Sequence, residues 1–188
     1  MPAPENLSVS KQNQIDYHDD GSYAADAETA LIPAYTAVDK YIDQKNIAVC
    51  FDDDETCITN YAIMLRFDFG WAYFVLLGSW ITKKEPAFIP TQNFYNYAQS
   101  KGMNNFIITA REEKYRKNSE AELNNAGYSN YTLIMCPNGG VPDTAAWKKQ
   151  MRDKIEVEGY KIIANVGDHD SDLQGGDYLQ VKLPNTFY

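Results

Sequence analysis

"CFDDDETCITN", residues 50–60, sets three aspartates and a glutamate directly behind the apolar run Ile47, Ala48, Val49, Cys50, Phe51. Adjacent carboxylates repel one another, and burying even one costs several kcal/mol unless a cation or donor stands beside it. The apolar run is short and ends in acid. It reads as a buried strand whose C-terminal end presents side chains to a cleft.

Downstream the pattern recurs three times, each time as a helix closed by glycine and followed by an apolar strand. "PTQNFYNYAQSKG" precedes "NNFIIT", "EEKYRKNSEAELNNAG" precedes "YTLIMC", and "TAAWKKQMRDKIEVEG" precedes "YKIIANVG". Gly102, Gly127 and Gly159 fall where a left-handed C-cap is expected. Alternating strands and helices predict an α/β fold: a Rossmann-like parallel sheet sandwiched by helices, with right-handed crossovers. Ligands bind beyond the carboxyl ends of such strands, so the acidic knot belongs at the site.

Upstream, Ala27, Leu31, Ala34, Val38 and Tyr41 recur every three to four positions and predict a helix to about Gln44, with Pro33 inside it. Residues 1–21 are polar and read as an extended lead-in, leaving 22–188 as a single domain. Residues 57–88 fit no strand–helix repeat. They hold Tyr61, Phe67, Phe69, Trp71, Tyr73, Phe74 and Trp80, and read as a small, mostly helical cap insert after the first strand. The aromatics either pack this insert onto the domain or line substrate; Tyr61, Phe69 and Trp71 are the candidates for the second role.

The chain has 188 residues, enough for one core that buries about 70 % of the unfolded surface. A net charge of −9 disfavours a nucleic-acid polymer or an anionic membrane as partner, since both would be repelled. A small phosphorylated anion can still bind where a metal and local donors reverse the field. Cys50, Cys57 and Cys136 form neither a CxxC pair nor a zinc spacing, and leave the compartment open. The stretch from Phe67 to Ile81 is too short to span a bilayer, and no basic-then-apolar export signal opens the chain.

Asp52 and Asp54 stand two apart and are expected to share one cleft, while Asp53 and Glu55 turn away. A solvated acidic turn is the ordinary meaning of such a run, but this one directly follows a core strand. A second cluster, Asp168, Asp170 and Asp172 in "NVGDHDSDLQGGD", follows another strand and offers hard oxygen ligands of the kind Mg²⁺ takes. Neither cluster is an EF-hand loop. The sixth and twelfth places hold Cys57 and Ile63 from Asp52, and Leu173 and Leu179 from Asp168. Between the clusters lie Thr109 and Arg111 in "FIITAR", then Lys148 and Lys149 near the start of a helix.

An Asp pair, a strand-end Thr, a helix Lys and a final Asp cluster follow the order of the four haloacid dehalogenase superfamily motifs. The chain resembles that superfamily's acid phosphatase branch, which includes plant vegetative storage proteins. "FDDDETCITN" is similar to the branch's FDIDETLLSN and "FIITAR" to FFITGR. "WKKQMRDKIEVEGYKIIANVGDHDSDLQG" and the terminal "VKLPNTFY" also resemble its pattern, so the likeness covers residues 22–188. The resemblance implies Asp52 as nucleophile and Asp54 as proton carrier, with Thr109, Lys148 and Arg111 binding phosphate. It implies a Mg²⁺ site of Asp52, Asp168 and the main-chain carbonyl of Asp54, with Asp172 orienting the metal's waters.

An acid phosphatase acting on phosphate monoesters through an aspartyl-phosphate is therefore expected, with nucleoside monophosphates as candidate substrates. Phosphotransfer from the same intermediate, or a weakly catalytic storage protein, are the alternatives. The family implies a periplasmic or secreted protein, leaves a cytoplasmic one open, and is compatible with a homodimer. Asp53, Cys57 and the pair His169-Asp170 depart from the pattern. Other phosphatase chemistries lack their residues: neither His18 nor His169 lies in an RHG motif, and no cysteine has an arginine six places on. A DxD glycosyltransferase would not require Thr109, Lys148 or the Asp168 cluster.

Overall fold

The computed structural model describes residues 6–70 and 85–187. Five parallel strands form one sheet in the order β3-β2-β1-β4-β5. They are β1 (Ile47–Phe51), β2 (Asn104–Glu112), β3 (Tyr131–Cys136), β4 (Lys161–Gly167) and β5 (Leu179–Lys182). All five residues of β1 are buried, which explains its unbroken apolar run. Ile47, Val49 and Phe51 face one core, and Ala48 and Cys50 the other.

The connecting helices are α4 (Ile89–Ser100), α5 (Arg116–Asn125) and α6 (Thr144–Val157). Phe94 of α4 and Leu123 of α5 join the first core, while Trp147 and Ile155 of α6 join the second. Right-handed crossovers require this division, because the chain reverses its direction across the sheet between β3 and β4. That reversal puts β1 and β4 side by side at the switch point, where a crevice opens beyond their carboxyl ends. Gly102, Gly127 and Gly159 close their helices at φ 81°, 92° and 93°, the left-handed geometry that their positions demand.

Three elements differ from expectation. The helix predicted from residue 27 to about Gln44 is α2 (Ser22–Lys40), which begins and ends earlier in the chain than expected, runs through Pro33 as expected, and buries Tyr23, Ala27, Leu31, Ala34 and Val38. The lead-in is not extended: Leu7–Asp19 forms α1, with Asn6 as N-cap accepting from the Ser8 amide at 3.0 Å. It buries no residue, so capping and lateral contacts hold it rather than an apolar stripe. The third is β5, four residues with a single buried side chain, too short and too polar to announce a strand.

The insert leaves and rejoins the domain at one point. Ile58 bridges Ala87, the Thr59 amide donates to Pro86 at 3.0 Å, and the Phe88 amide donates to Cys57 at 2.8 Å. Its described part includes the short helix α3 (Tyr61–Arg66). Among the described residues, no helix is long and apolar enough to cross a membrane.

Candidate active site

β1 delivers Asp52 to the crevice, where its amide still donates to Val166 of β4 at 2.9 Å. The chain then turns tightly: the Asp53 carbonyl accepts from the amides of Thr56, Cys57 and Ile58, and Glu55 sits at φ 54°. Because the strand ends at Phe51, turn geometry rather than strand alternation separates the four acids. Asp52 faces Lys148 and Asp54 faces Arg111, while Asp53 and Glu55 are fully buried, not solvated. Glu55 is satisfied in part by the Asn60 amide, 2.6 Å from Oε1.

Lys148 comes from the first turns of α6, whose N-cap Asp143 accepts from the Ala146 amide at 3.0 Å. It is buried, and its Nζ donates to Asp52 and to Asp172, the latter at 2.6 Å. Lys149 points outward to Asp153. Asp168 follows β4 directly and accepts from the Thr56 hydroxyl at 3.1 Å and from Asn185. Asp172 accepts from the His169 amide at 2.9 Å. Gly167 makes room for this arrangement, since a Cβ there would stand 2.5 Å from the Asp172 Cβ. Asp170 lies outside, paired with Lys182 on the surface.

Asp52, Asp168 and Asp172 therefore converge, each offering a carboxylate oxygen within 4.8 Å of the others, and all three are buried. Burial pushes Asp52 well above the usual carboxylate range, with the Asp172 charge adding to it and Lys148 opposing. Asp168 is raised to about 6, again by burial first and then by Asp172. For Lys148, burial pulls down but the Asp52 and Asp172 carboxylates prevail, keeping it charged. Among the described residues these three buried carboxylates meet one ammonium, Lys148, which pairs with Asp52 and Asp172, and a hard divalent cation among the oxygens would supply further positive charge. The donor set thus fits the metal that the motifs imply.

The remaining predicted residues divide. Thr109, in β2 where the register with β3 shifts, is buried, and its Oγ accepts from the Arg111 amide at 3.2 Å, which leaves the hydroxyl proton for another acceptor. Arg111 is only 1 % exposed, and its guanidinium points into acid: Nε and Nη2 donate to Asp54 at 2.9 and 2.6 Å, and Nη1 donates to Glu122 at 2.5 Å. The Asp54 side chain is 18 % exposed and also accepts from Asn60 Nδ2 at 3.0 Å.

Tyr61 stacks on His18 with ring centroids 4.1 Å apart and donates to Asp19, and Phe69 lies 6.0 Å from Phe187. Both belong to an aromatic cluster between α1, the insert and the C-terminal residues. Trp71 lies outside the described residues. Sequence reasoning missed Asn60, Asn185 and Glu122. The asparagines sit inside motif stretches and were open to notice, whereas Glu122 shows only as one more charge on a polar helix.

Comparisons with known proteins bear on the family and the fold. Residues 4–188 match the family described as HAD superfamily, subfamily IIIB (Acid phosphatase). Acid phosphatase 1 of Solanum lycopersicum is 31 % identical over 145 residues, covering 73 % of this chain and 57 % of that protein. The stem 28 kDa glycoprotein of Glycine max is 29 % identical over 176 residues, covering 88 % of this chain and 69 % of its own. Vegetative storage protein 1 of Arabidopsis thaliana is 28 % identical over 179 residues, 88 % of this chain and 64 % of that one. In structure, the class C acid phosphatase from Bacillus anthracis superposes with a TM-score of 0.77 at 17 % identity, covering 97 % of this chain and 84 % of that one, a likeness of fold. With the match running almost end to end and the motif residues gathered at the sheet's switch point, the chain belongs to the HAD superfamily, subfamily IIIB, the acid phosphatases.

Proposed function

We propose that this phosphomonoesterase hydrolyses phosphate monoesters through an aspartyl-phosphate on Asp52, with Mg²⁺ as its metal. The observation that carries the reading is the convergence of the Asp52, Asp168 and Asp172 carboxylates, with buried Lys148 donating to Asp52 and Asp172. In the first step an Asp52 oxygen bonds to phosphorus while the bond to the leaving oxygen breaks, and Asp54 gives that oxygen its proton. In the second, water attacks phosphorus, the Asp52–phosphorus bond breaks, and Asp54 takes the water's proton. Lys148 and the Thr109 hydroxyl hold the phosphoryl oxygens. Asp52, Asp168, Asp172 and the Asp54 carbonyl would hold the cation, which when bound neutralises charge developing on the phosphoryl group.

Nucleoside monophosphates are the substrate class we favour. Tyr61 and Phe187, whose rings stack with centroids 6.1 Å apart, follow closely in sequence on Asn60 and Asn185, the two asparagines that touch Asp54 and Asp168, and that nearness supports a stacking partner for a base. A panel of nucleotide, sugar and lipid-head phosphates tests this; equal rates across it would remove the stacking argument. Export from the cytoplasm and release to water rather than to an alcohol complete the proposal.

Asp52→Asn is expected to lower p-nitrophenyl phosphate turnover by about a thousandfold or more, and EDTA should abolish wild-type turnover until Mg²⁺ is restored. Wild-type rates in Asp52→Asn would overturn the mechanism. A folded protein idle on the whole panel would instead favour the storage role suggested by the names of some relatives.

A further inference from the structure

Behind the crevice lies a buried charge cluster of which the mechanism above uses only Asp54. Arg111 leaves the end of β2 and is met by Asp53 and Asp54 from the turn after β1, and by Ser119 and Glu122 from α5. One edge of its guanidinium, Nε and Nη2, is taken up by the two oxygens of Asp54. The third nitrogen, Nη1, is shared by Glu122 at 2.5 Å, Ser119 at 3.3 Å and Asp53 at 3.3 Å. A guanidinium is a rigid plane, so fixing Nη1 fixes the rotation of the edge that carries Asp54.

Glu122 is fully buried on the inner side of α5 with Ser119 and Leu123, a position that a charge occupies only when it is paired. Its partner is Arg111, which could otherwise swing toward a bound phosphate, the role that its place in the motif suggests. We propose that Glu122 is a positioning residue for proton transfer: it anchors Arg111 against Asp54, so that Arg111 orients the proton carrier instead of binding phosphate. The proposal rests on the reading of Asp54 as proton carrier.

A residue that serves proton delivery matters most for a poor leaving group. An alkoxide needs a proton as it departs, whereas p-nitrophenolate does not. Glu122→Leu, which fills the volume and removes the acceptor, is expected to lower kcat/KM for glycerol 2-phosphate about tenfold more than for p-nitrophenyl phosphate. Glu122→Gln keeps an oxygen for Nη1 and should recover most of that difference. Both substrates are assayed in one preparation, so any unfolded fraction cancels from the ratio.

An equal fall on both substrates, or no fall on either, overturns the proposal. Should Glu122→Leu not fold, Arg111→Lys, which keeps the charge and loses the fork, decides by the same criterion. Asp54→Asn separates the two levels of inference. If its own ratio does not fall, the proton-carrier reading fails; if it falls while that of Glu122→Leu does not, only the anchoring role fails.

Discussion

Asp53 shows how one residue can look like part of a site and belong to its support. It is fully buried, neither of its carboxylate oxygens accepts a hydrogen bond, and its compensation is Arg111 Nη1 at 3.3 Å. Burial raises it to about 7 against Arg111's pull, with Asp54 and Glu122 raising it further. A carboxyl whose folded value exceeds its unfolded 3.8 weakens the fold as pH climbs between the two, because the unfolded chain releases its proton first. Asp53→Asn should therefore gain on wild type across that window, with the gain complete above about pH 7. Urea midpoints in EDTA, compared at about pH 4.5 and pH 7.5, check this; a difference independent of pH would show that Asp53 does not titrate as described. The comparison between pH values matters more than the offset, since the amide's own fit contributes equally at both. The same cluster shows where sequence reading stops. "FIITAR" displays Arg111 as a cation near a strand end, but nothing local says that three acids from two elements will close around it.

At the scale of elements, what was legible followed local rules. Apolar runs of five or six residues gave β1 and β3, and left-handed glycines marked the ends of α4, α5 and α6. The elements that escaped notice, α1 and β5, have no pattern of their own and depend on neighbours. Lys11 pairs with Asp68 of the insert, Tyr17 donates to Asp26 at 2.6 Å, and β5 exists by pairing with β4. His18 also ties α1 to its neighbours. Its ring stacks on Tyr61 at 4.1 Å and lies 3.9 Å from Tyr23 and 5.0 Å from Phe187, with Nε2 buried and unpartnered. Burial lowers it from 6.5 to about 4, outweighing the nearby Asp19. The folded value lies below the unfolded one, so the stability this stack lends is present above pH 6.5 and is lost as pH falls toward 4. Wild type should lose more stability than His18→Phe between about pH 7 and pH 4.5, because the phenyl ring keeps the stack and has no proton to take up. Denaturation curves that fall in parallel would show that His18 is not the group responsible.

For the whole molecule the governing fact is charge: a chain of net −9 gathers three of its carboxylates at the switch point of its own sheet. Folding brings them together, so anything that binds them together is linked to folding, and the unfolded chain has no comparable site. Mg²⁺ at a hundredfold excess over its dissociation constant should then stabilise the protein by about 2.7 kcal/mol. For a chain of this size that amounts to a rise in Tm of roughly 5–10 °C. A highly negative protein also gains from mere screening, so the comparison is with NaCl at equal ionic strength, which relieves general repulsion but cannot bridge Asp52, Asp168 and Asp172. Protons compete for the same oxygens, and Asp168 holds its own up to about 6, so the Mg²⁺ increment should shrink as pH drops below that value. In Asp168→Asn the increment should vanish while the response to NaCl remains. If instead NaCl reproduces the whole shift, or Asp168→Asn keeps it, these carboxylates do not form the cation site, and the charge they lack must come from another source.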